Sequence, residues 1–574
     1  RGPQGTLYGR NTNAGAINVV TTKPQGENSS SGEFSYGEFD RVNVKGMANV
    51  VLQEDKLFLR VNALSQTGDG HVDNALLGKE VNDVDFLGWR VGLRWLPTEN
   101  LEFILTADDS TSDQNGVYAL NVLNGIPDDL YQSSSVTDIF NESKTDGIAM
   151  TINWEISPNL SFQSITSSRT TFQKYDLDLS DSPIPVFELF TFNNSDQVSQ
   201  EFKISGSAFN DRLQYSAGIF YFDEDSYSFI GDRFFSGSLL AREYNVDVES
   251  IAAYFDGTFD LTDKLSVVLG SRYTRDEKSI DIEAAVGVAP GFSIAGGTPT
   301  WDSATLNSLG TPTDLKFNDF TPKIGLKYAF NNDLDGYITF TEGYRAGGWA
   351  ARTNNPLQVL PFDPEVINSV AIGLKASLLD GRARLNTEYF FYDYQDMFNT
   401  ATDPATGNFA VFTNDAEVQG LEIEGTIRVS ENFDIFGFVA FSDGEYKDVD
   451  PAVGASLGKK LQRLPETSFK LGFTNIWPLS DGSKIRLNAD YQYTEDHFTD
   501  PPNTELGRSG DMGLVSASLG WESADNRFSV GLSCRNCTDD EYNTATLAFA
   551  PFGFVSIYPG EPRTWLITVK ARTN

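Results

Sequence analysis

Alternation with a period of two runs through most of the chain. Trp89, Val91, Leu93 and Trp95 share one face of an extended segment, and Arg90, Gly92 and Arg94 share the other. Phe528, Val530 and Leu532 alternate with Ser529, Gly531 and Ser533. Trp565, Ile567 and Val569 alternate with Thr564, Thr568 and Lys570, with Leu566 as the exception. Successive side chains of a strand point to opposite faces, so each run predicts a strand with one apolar face and one small, polar or charged face. The runs extend for about 10–14 residues, against ~5–6 in most water-soluble strands. About ten tilted residues cross the ~25 Å apolar band of an outer membrane. In a soluble sandwich the polar face would look out to water. In a membrane barrel it looks inward.

Tight polar turns at 97–99, 157–159, 209–211, 261–263, 331–333, 380–382, 430–432, 480–482 and 523–525 join the runs in pairs. Long connections separate the pairs, near 68–85, 111–144, 174–195, 227–247, 278–317, 347–365, 398–416, 446–466, 496–511 and 538–561. Short turns on one rim and long loops on the other are the asymmetry of outer-membrane barrels. The runs from residue 31 onward number about 22, the size of outer-membrane transporters with a plugged lumen. Arrays of sandwiches or propeller blades are the soluble alternative, but no short internal repeat supports them.

Composition agrees with a large sheet. The 574 residues include 50 glycines, 42 phenylalanines and 22 tyrosines. No apolar run approaches the ~18 residues of a membrane helix, which does not exclude a barrel, whose strands alternate. A net charge of -37 argues against nucleic acid as a partner, because phosphates need basic surfaces. It reads as a solvated acidic surface, or as acidic loops carrying divalent cations near lipopolysaccharide. There is no signal peptide, which a secreted protein should carry, so the chain is expected to begin inside a longer protein.

The most specific motif is at the start: Arg1-Gly2-Pro3, Gly5, Leu7-Tyr8-Gly9, then Gly15-Ala16-Ile17-Asn18-Val19 and Lys23-Pro24. The glycines permit tight turns, and residues 16–21 have the pattern of a short strand. A phosphate loop is rejected for residues 9–15, because the Gly-Lys-Ser/Thr ending is absent. Further spaced segments follow in order: 197–201, 343–349, 364–375, 380–394, 414–424 and 535–542. This set closely resembles the TonB-dependent outer-membrane receptors, in their iron-complex or siderophore branch. The resemblance covers nearly the whole chain. It implies an all-β fold: a 22-stranded antiparallel transmembrane β-barrel with a partial N-terminal plug domain. Residues 1–30 would be the C-terminal part of the plug and 31–574 the barrel.

It also implies function. Such a receptor sits in the Gram-negative outer membrane among lipopolysaccharide and imports a ferric siderophore as ligand. The TonB-ExbB-ExbD complex, driven by the proton gradient, pulls on the plug. The TonB contact lies upstream of Arg1, so the chain as written is expected not to be energised. Import of cobalamin, a glycan or a plant phenolic is the alternative, and a passive porin or structural surface protein is the third. In the family, two arginines and two glutamates latch plug to wall. By motif position these are Arg1, Arg60 and Glu422, with Ala371 where the second glutamate would stand. Trp349, Arg345, Phe190, Phe235 and Phe552 are candidate ligand contacts, with packing of the loops on one another the favoured alternative for the aromatic ones. The family usually ends on an aromatic residue, and Thr573 stands at about that position.

No Ser/His/Asp set or paired-carboxylate motif supports catalysis, so no enzyme, resident cofactor or metal is expected. Cys534 and Cys537 supply two ligands where structural zinc takes four. Three apart in an extended strand they lie ~10 Å from one another, beyond disulfide reach. They read as small hydrophobes, with curvature past Asn536 the one route to bring the sulfurs together. His71 and His497 read as solvated loop residues.

Overall fold

The computed structural model describes residues 2–235, 237, 239–288, 291–353, 355–402, 409–449, 459–501, 503–549 and 552–573. Twenty-two antiparallel strands close into one barrel. The first hairpins are β1 (Ser29–Gly37), β2 (Val42–Gln53), β3 (Leu57–Gly68), β4 (Val84–Thr98), β5 (Leu101–Gln114), β6 (Phe140–Ser157) and β7 (Leu160–Asp178). Then come β8 (Phe187–Ala208), β9 (Leu213–Phe234), β10 (Leu239–Asp260), β11 (Leu265–Val288), β12 (Asp314–Asn331), β13 (Leu334–Arg345), β14 (Glu365–Leu378) and β15 (Ala383–Thr402). The ring continues through β16 (Phe409–Ser430), β17 (Phe433–Asp448), β18 (Thr467–Pro478), β19 (Lys484–Thr494), β20 (Met512–Glu522), β21 (Phe528–Arg535) and β22 (Thr564–Arg572). β1 pairs with both β2 and β22, from Ser31↔Arg572 to Gly37↔Leu566, which leaves no open edge.

The outward face marks the membrane. Along β12 the outward side chains Phe330, Tyr328, Leu326, Ile324 and Phe320 are apolar and exposed, then Asn318, Lys316 and Asp314 follow. On β11 the change falls between Tyr273 and Arg275, and on β10 between Ile251 and Glu249. Exposed apolar and aromatic side chains on a closed sheet face lipid. The charged positions above them stand in water.

Strand length departs from the sequence expectation. β8, β9, β10 and β11 have 22, 22, 22 and 24 residues. They continue through residues 187–195, 227–234, 239–247 and 278–288, where the sequence pattern reads as loop. Above the membrane the outward face is polar, so the apolar alternation ends although backbone pairing does not. The connection after β11 adds a short paired strand, Thr298–Asp302, and a helix, Ser303–Leu309, whose Asp302 N-cap accepts from the Thr305 amide. Leu306 of that helix is buried with Trp301, Ile280, Ile282 and Val359.

The segment before β1 runs through the lumen. A single helical turn, α1 (Gly5–Tyr8), packs against β10, β11, β12 and β13. Pairing between β12 and β13 stops at Lys323↔Thr341. The next residue up β12 is Pro322, which has no N–H to donate. The segment occupies the resulting seam: the Asn11 amide donates to Tyr344 O at 3.0 Å, and Thr6 Oγ1 to Thr321 O at 3.5 Å. Residues 16–21 do not form the expected strand. They join no backbone ladder among the described residues, and Ile17, Val19 and Val20 stay exposed.

Candidate functional site

The glycines of the N-terminal motif do two jobs. Gly2, Gly9 and Gly15 have φ of 66, 81 and 141°, in the region that favours glycine. Gly5 is needed for approach: a Cβ there would sit 2.9 Å from the Thr321 methyl and 3.2 Å from Glu342 O. Pro3 packs on Gly343 of β13. Tyr8 and Asn18 are exposed.

Polar contacts tie this segment to the wall at two heights. At the upper one the Arg10 guanidinium lies 4.6 Å over the Phe222 ring, 3.8 Å from Asp276 and 4.0 Å from Glu224. Asp276 is buried and also accepts from Tyr344 Oη at 2.6 Å. Asn13 donates to Glu365 of β14. At the lower rim Glu102 accepts from Lys23 at 2.8 Å, Arg94 at 2.6 Å and Asn153 at 2.7 Å. Buried Asn49 accepts from the Gln25 amide and donates to Gln25 O and Glu27 O. None of Arg10, Asn13 or Lys23 stands out in the sequence as a tie. Each is polar within a recognised motif, but its partner lies far away in the chain.

Of the expected latch residues, Arg60 and Glu422 lie apart. Arg1 lies outside the described residues. Arg60 is on β3 and has no ion-pair partner among the described residues, whereas Glu422 is on β16, on another side of the ring. Ala371 is on the same face of β14 as Glu365 and Ser369, which meet Asn13 and Gly2. Next to Glu422 stands Glu388 of β15, its cross-strand partner. Glu388 accepts from Tyr337 of β13, whose ring passes over Gly373.

The five candidate ligand contacts separate. Phe190 is buried with Phe229, Leu239 and Val288, and Phe552 packs on a cluster of Phe187, Phe549 and Phe554. Both hold the extracellular strand tips together. Phe235 is an exposed turn residue with φ of 50°. Only Arg345 and Trp349 meet at one place, a cavity of about 560 Å³ in the outer vestibule. Asn11 forms part of its lining, with Tyr244, Lys278, Phe362 and Phe398 around it. Lys278 Nζ donates to Gly347 O at 2.5 Å, and Arg345 lies 4.7 Å over the Phe398 ring. Burial, with Arg10 second, pushes the Lys278 ammonium down to about 8.

Two readings are corrected. Cys534 and Cys537 form a disulfide, with Cα atoms 5.6 Å apart. β21 ends at Arg535, and Asn536 turns left-handed with φ of 46°, so the extended spacing does not apply. Cys534 is buried rather than facing lipid. His71 is not solvated: it is half-buried between Phe39 and Tyr131, and burial lowers its pKa. His497 Nδ1 lies 3.2 Å from Glu495 O, which can only accept from it, and 3.1 Å from Ser509 Oγ, in keeping with a loop role.

Known proteins share this architecture. A family model of the TonB dependent receptor-like β-barrel matches residues 103–537. The pesticin receptor of Yersinia enterocolitica is 22% identical over 580 residues, covering 95% of this chain and 76% of that protein. The ferric yersiniabactin uptake receptor FyuA from Yersinia pestis superposes with a TM-score of 0.86 at 18% identity, over 100% of this chain and 84% of that one. The siderophore receptor PiuA from Acinetobacter baumannii does so with a TM-score of 0.82 at 14% identity, over 100% and 85%. With the model matching most of its length and the closed 22-stranded wall to go with it, this chain belongs to the TonB-dependent receptor-like β-barrel family, whose members are receptors of the Gram-negative outer membrane.

Proposed function

We propose that this barrel imports ferric siderophores into the periplasm, energised through TonB, ExbB and ExbD. The observation that carries the reading is the vestibule: a recess facing the exterior whose lining includes Asn11 of a segment bound to the wall below it. A ligand held tightly there leaves slowly, so directional release requires work. Residues 1–30 act as plug in this reading and 31–574 as barrel. Siderophore names on related proteins support the ligand class. Its members being receptors and transporters supports a role without enzymatic chemistry. The proposed latch is Arg1 and Arg60 with Glu422, and Glu388 beside Glu422 stands in for the carboxylate missing at Ala371.

Lipopolysaccharide is the proposed neighbour on the outer wall. A groove of Phe202, Ile219, Tyr221, Ile251 and Tyr273 suits acyl chains, and Glu249, Arg275 and Glu277 stand at its upper edge. The test of the transport reading is uptake of radiolabelled iron by cells expressing the intact receptor. Accumulation should require the ferric siderophore and stop when the proton gradient is dissipated. Ligand-independent, gradient-independent passage would point to a porin instead.

A further inference from the structure

Two cations face the vestibule with no carboxylate within ion-pair distance among the described residues. Arg345 ends β13 and rests on the Phe398 ring, and it has no ion-pair partner among the described residues. Lys278 projects from β11 above the membrane boundary set by Tyr273 and Arg275, and its ammonium donates to a neutral carbonyl, Gly347 O. By contrast Arg352, also on the cavity, is paired with Asp232 at 3.0 Å. Asp276 and Glu224, the carboxylates that act on Lys278, are shared with Arg10, and no carboxylate pairs with Arg345 among the described residues. Withdrawing a cation from water without a counter-ion is costly, and a site with two of them is organised for negative charge that arrives from outside.

The rest of the lining adds a second requirement. Tyr244, Trp349, Phe362 and Phe398 present aromatic surface around the same space. Trp349 is fixed by its indole N–H, which donates to Pro312 O at 2.7 Å. Burial of Ile280 and Ile282 with Trp301 and Leu306 stiffens the wall behind it. Such a recess favours a ligand that has flat apolar faces and carries its charge on hard oxygen atoms between them.

Resting on the siderophore reading, we infer that the imported complex is an anionic chelate with aromatic donors, a catecholate or phenolate, and that Lys278 and Arg345 select it by charge. Ferric ion with three doubly charged catecholates is trianionic. With three singly charged hydroxamates it is neutral, and it would leave both cations uncompensated in the bound state. The planar fork of the Arg345 guanidinium suits a pair of chelate oxygens. Lys278 adds a point charge beside the plug apex.

The test is binding of two probes, a ferric tris-catecholate and a ferric trihydroxamate, to the intact receptor in outer membranes. The tris-catecholate should bind at least tenfold more tightly. Lys278→Met and Arg345→Met should each weaken it by roughly thirtyfold while leaving the trihydroxamate within a factor of about three. Lys278→Arg should retain most of the affinity, and unchanged heat-modifiability on gels shows that the barrels are folded. Equal or tighter binding of the neutral complex, or indifference of the tris-catecholate to both substitutions, overturns the charge selection and leaves siderophore import standing. Failure of every ferric complex to bind overturns the import reading itself.

Discussion

Lys278 keeps its proton against burial and the nearby Arg10 and Arg345, with Asp276 and Glu224 opposing them. Its folded pKa of about 8 is below the unfolded value, so the charged form at neutral pH costs stability that is regained as pH rises. A bound anion reverses the preference. Affinity for an anionic chelate should therefore fall as pH rises through about 8, and Lys278→Arg should remove that pH dependence from equilibrium titrations. Gly373 offers a test of the lumenal wall. A Cβ there would lie 2.3 Å from the Tyr337 ring, so Gly373→Ala should displace Tyr337 from Glu388 and destabilise the barrel by roughly 1–3 kcal/mol in chemical denaturation. At this scale the sequence was informative where a motif named a position. Arg345 and Trp349 were found that way. Lys278 was missed because its stretch of β11 reads as loop. Phe190 and Phe552 read from the sequence as ligand contacts or as loop packing, and neighbouring strand tips pack them.

The strands above the membrane are where pattern and structure diverge. They hold a buried acidic cluster at their tips: Asp176 and Asp178 of β7, Asp181 beyond it, and Glu188 of β8. Asp181 accepts from the Ser134 and Ser135 amides and Ser133 Oγ, Asp178 from Ser135 Oγ, and Glu188 from Thr137 and Arg233. Burial, with Glu188 next, raises Asp176 to about 7, with Arg233 opposing and Asp178 and Asp138 adding to it. Burial raises Asp181 to about 6 against its hydrogen bonds. Folded values above the unfolded ones mean stability that is full at acid pH and lost as pH rises through that range. Protease cleavage within residues 133–138 and 176–186 should accelerate between about pH 5 and about pH 8. A cluster indifferent to pH would contradict the burial account. Asp176→Asn should flatten the profile. Nothing local in the sequence marks this cluster, because isolated aspartates in a chain this acidic read as solvated.

Across the molecule, the N-terminal segment and the wall act as one closure. Arg10 is the central tie, and removing it leaves Asp276 buried without its cation. Arg10→Ala should loosen the segment by roughly 3 kcal/mol, the cost of breaking a buried pair. The readout is ligand-independent entry of a bulky antibiotic into cells carrying the intact receptor, which should rise. An unchanged permeability barrier would show that the remaining ties suffice. The disulfide between Cys534 and Cys537 belongs to the same lesson. Spacing along a straight strand excluded it, and the left-handed turn at Asn536 permitted it.

By itself the sequence determined the wall: the alternating faces, the short and long rims, the strand number and the family. Those properties are local and periodic, and partition between lipid and lumen writes them into every strand. Only the tertiary structure decided the vestibule, the seam at Pro322 that receives α1, the acidic cluster and the partners of Arg10. Each depends on register and ring closure, which bring together residues hundreds of positions apart. The opening motif signalled that a segment fills the barrel, but how it is held, and what charge waits above it, came from the folded ring.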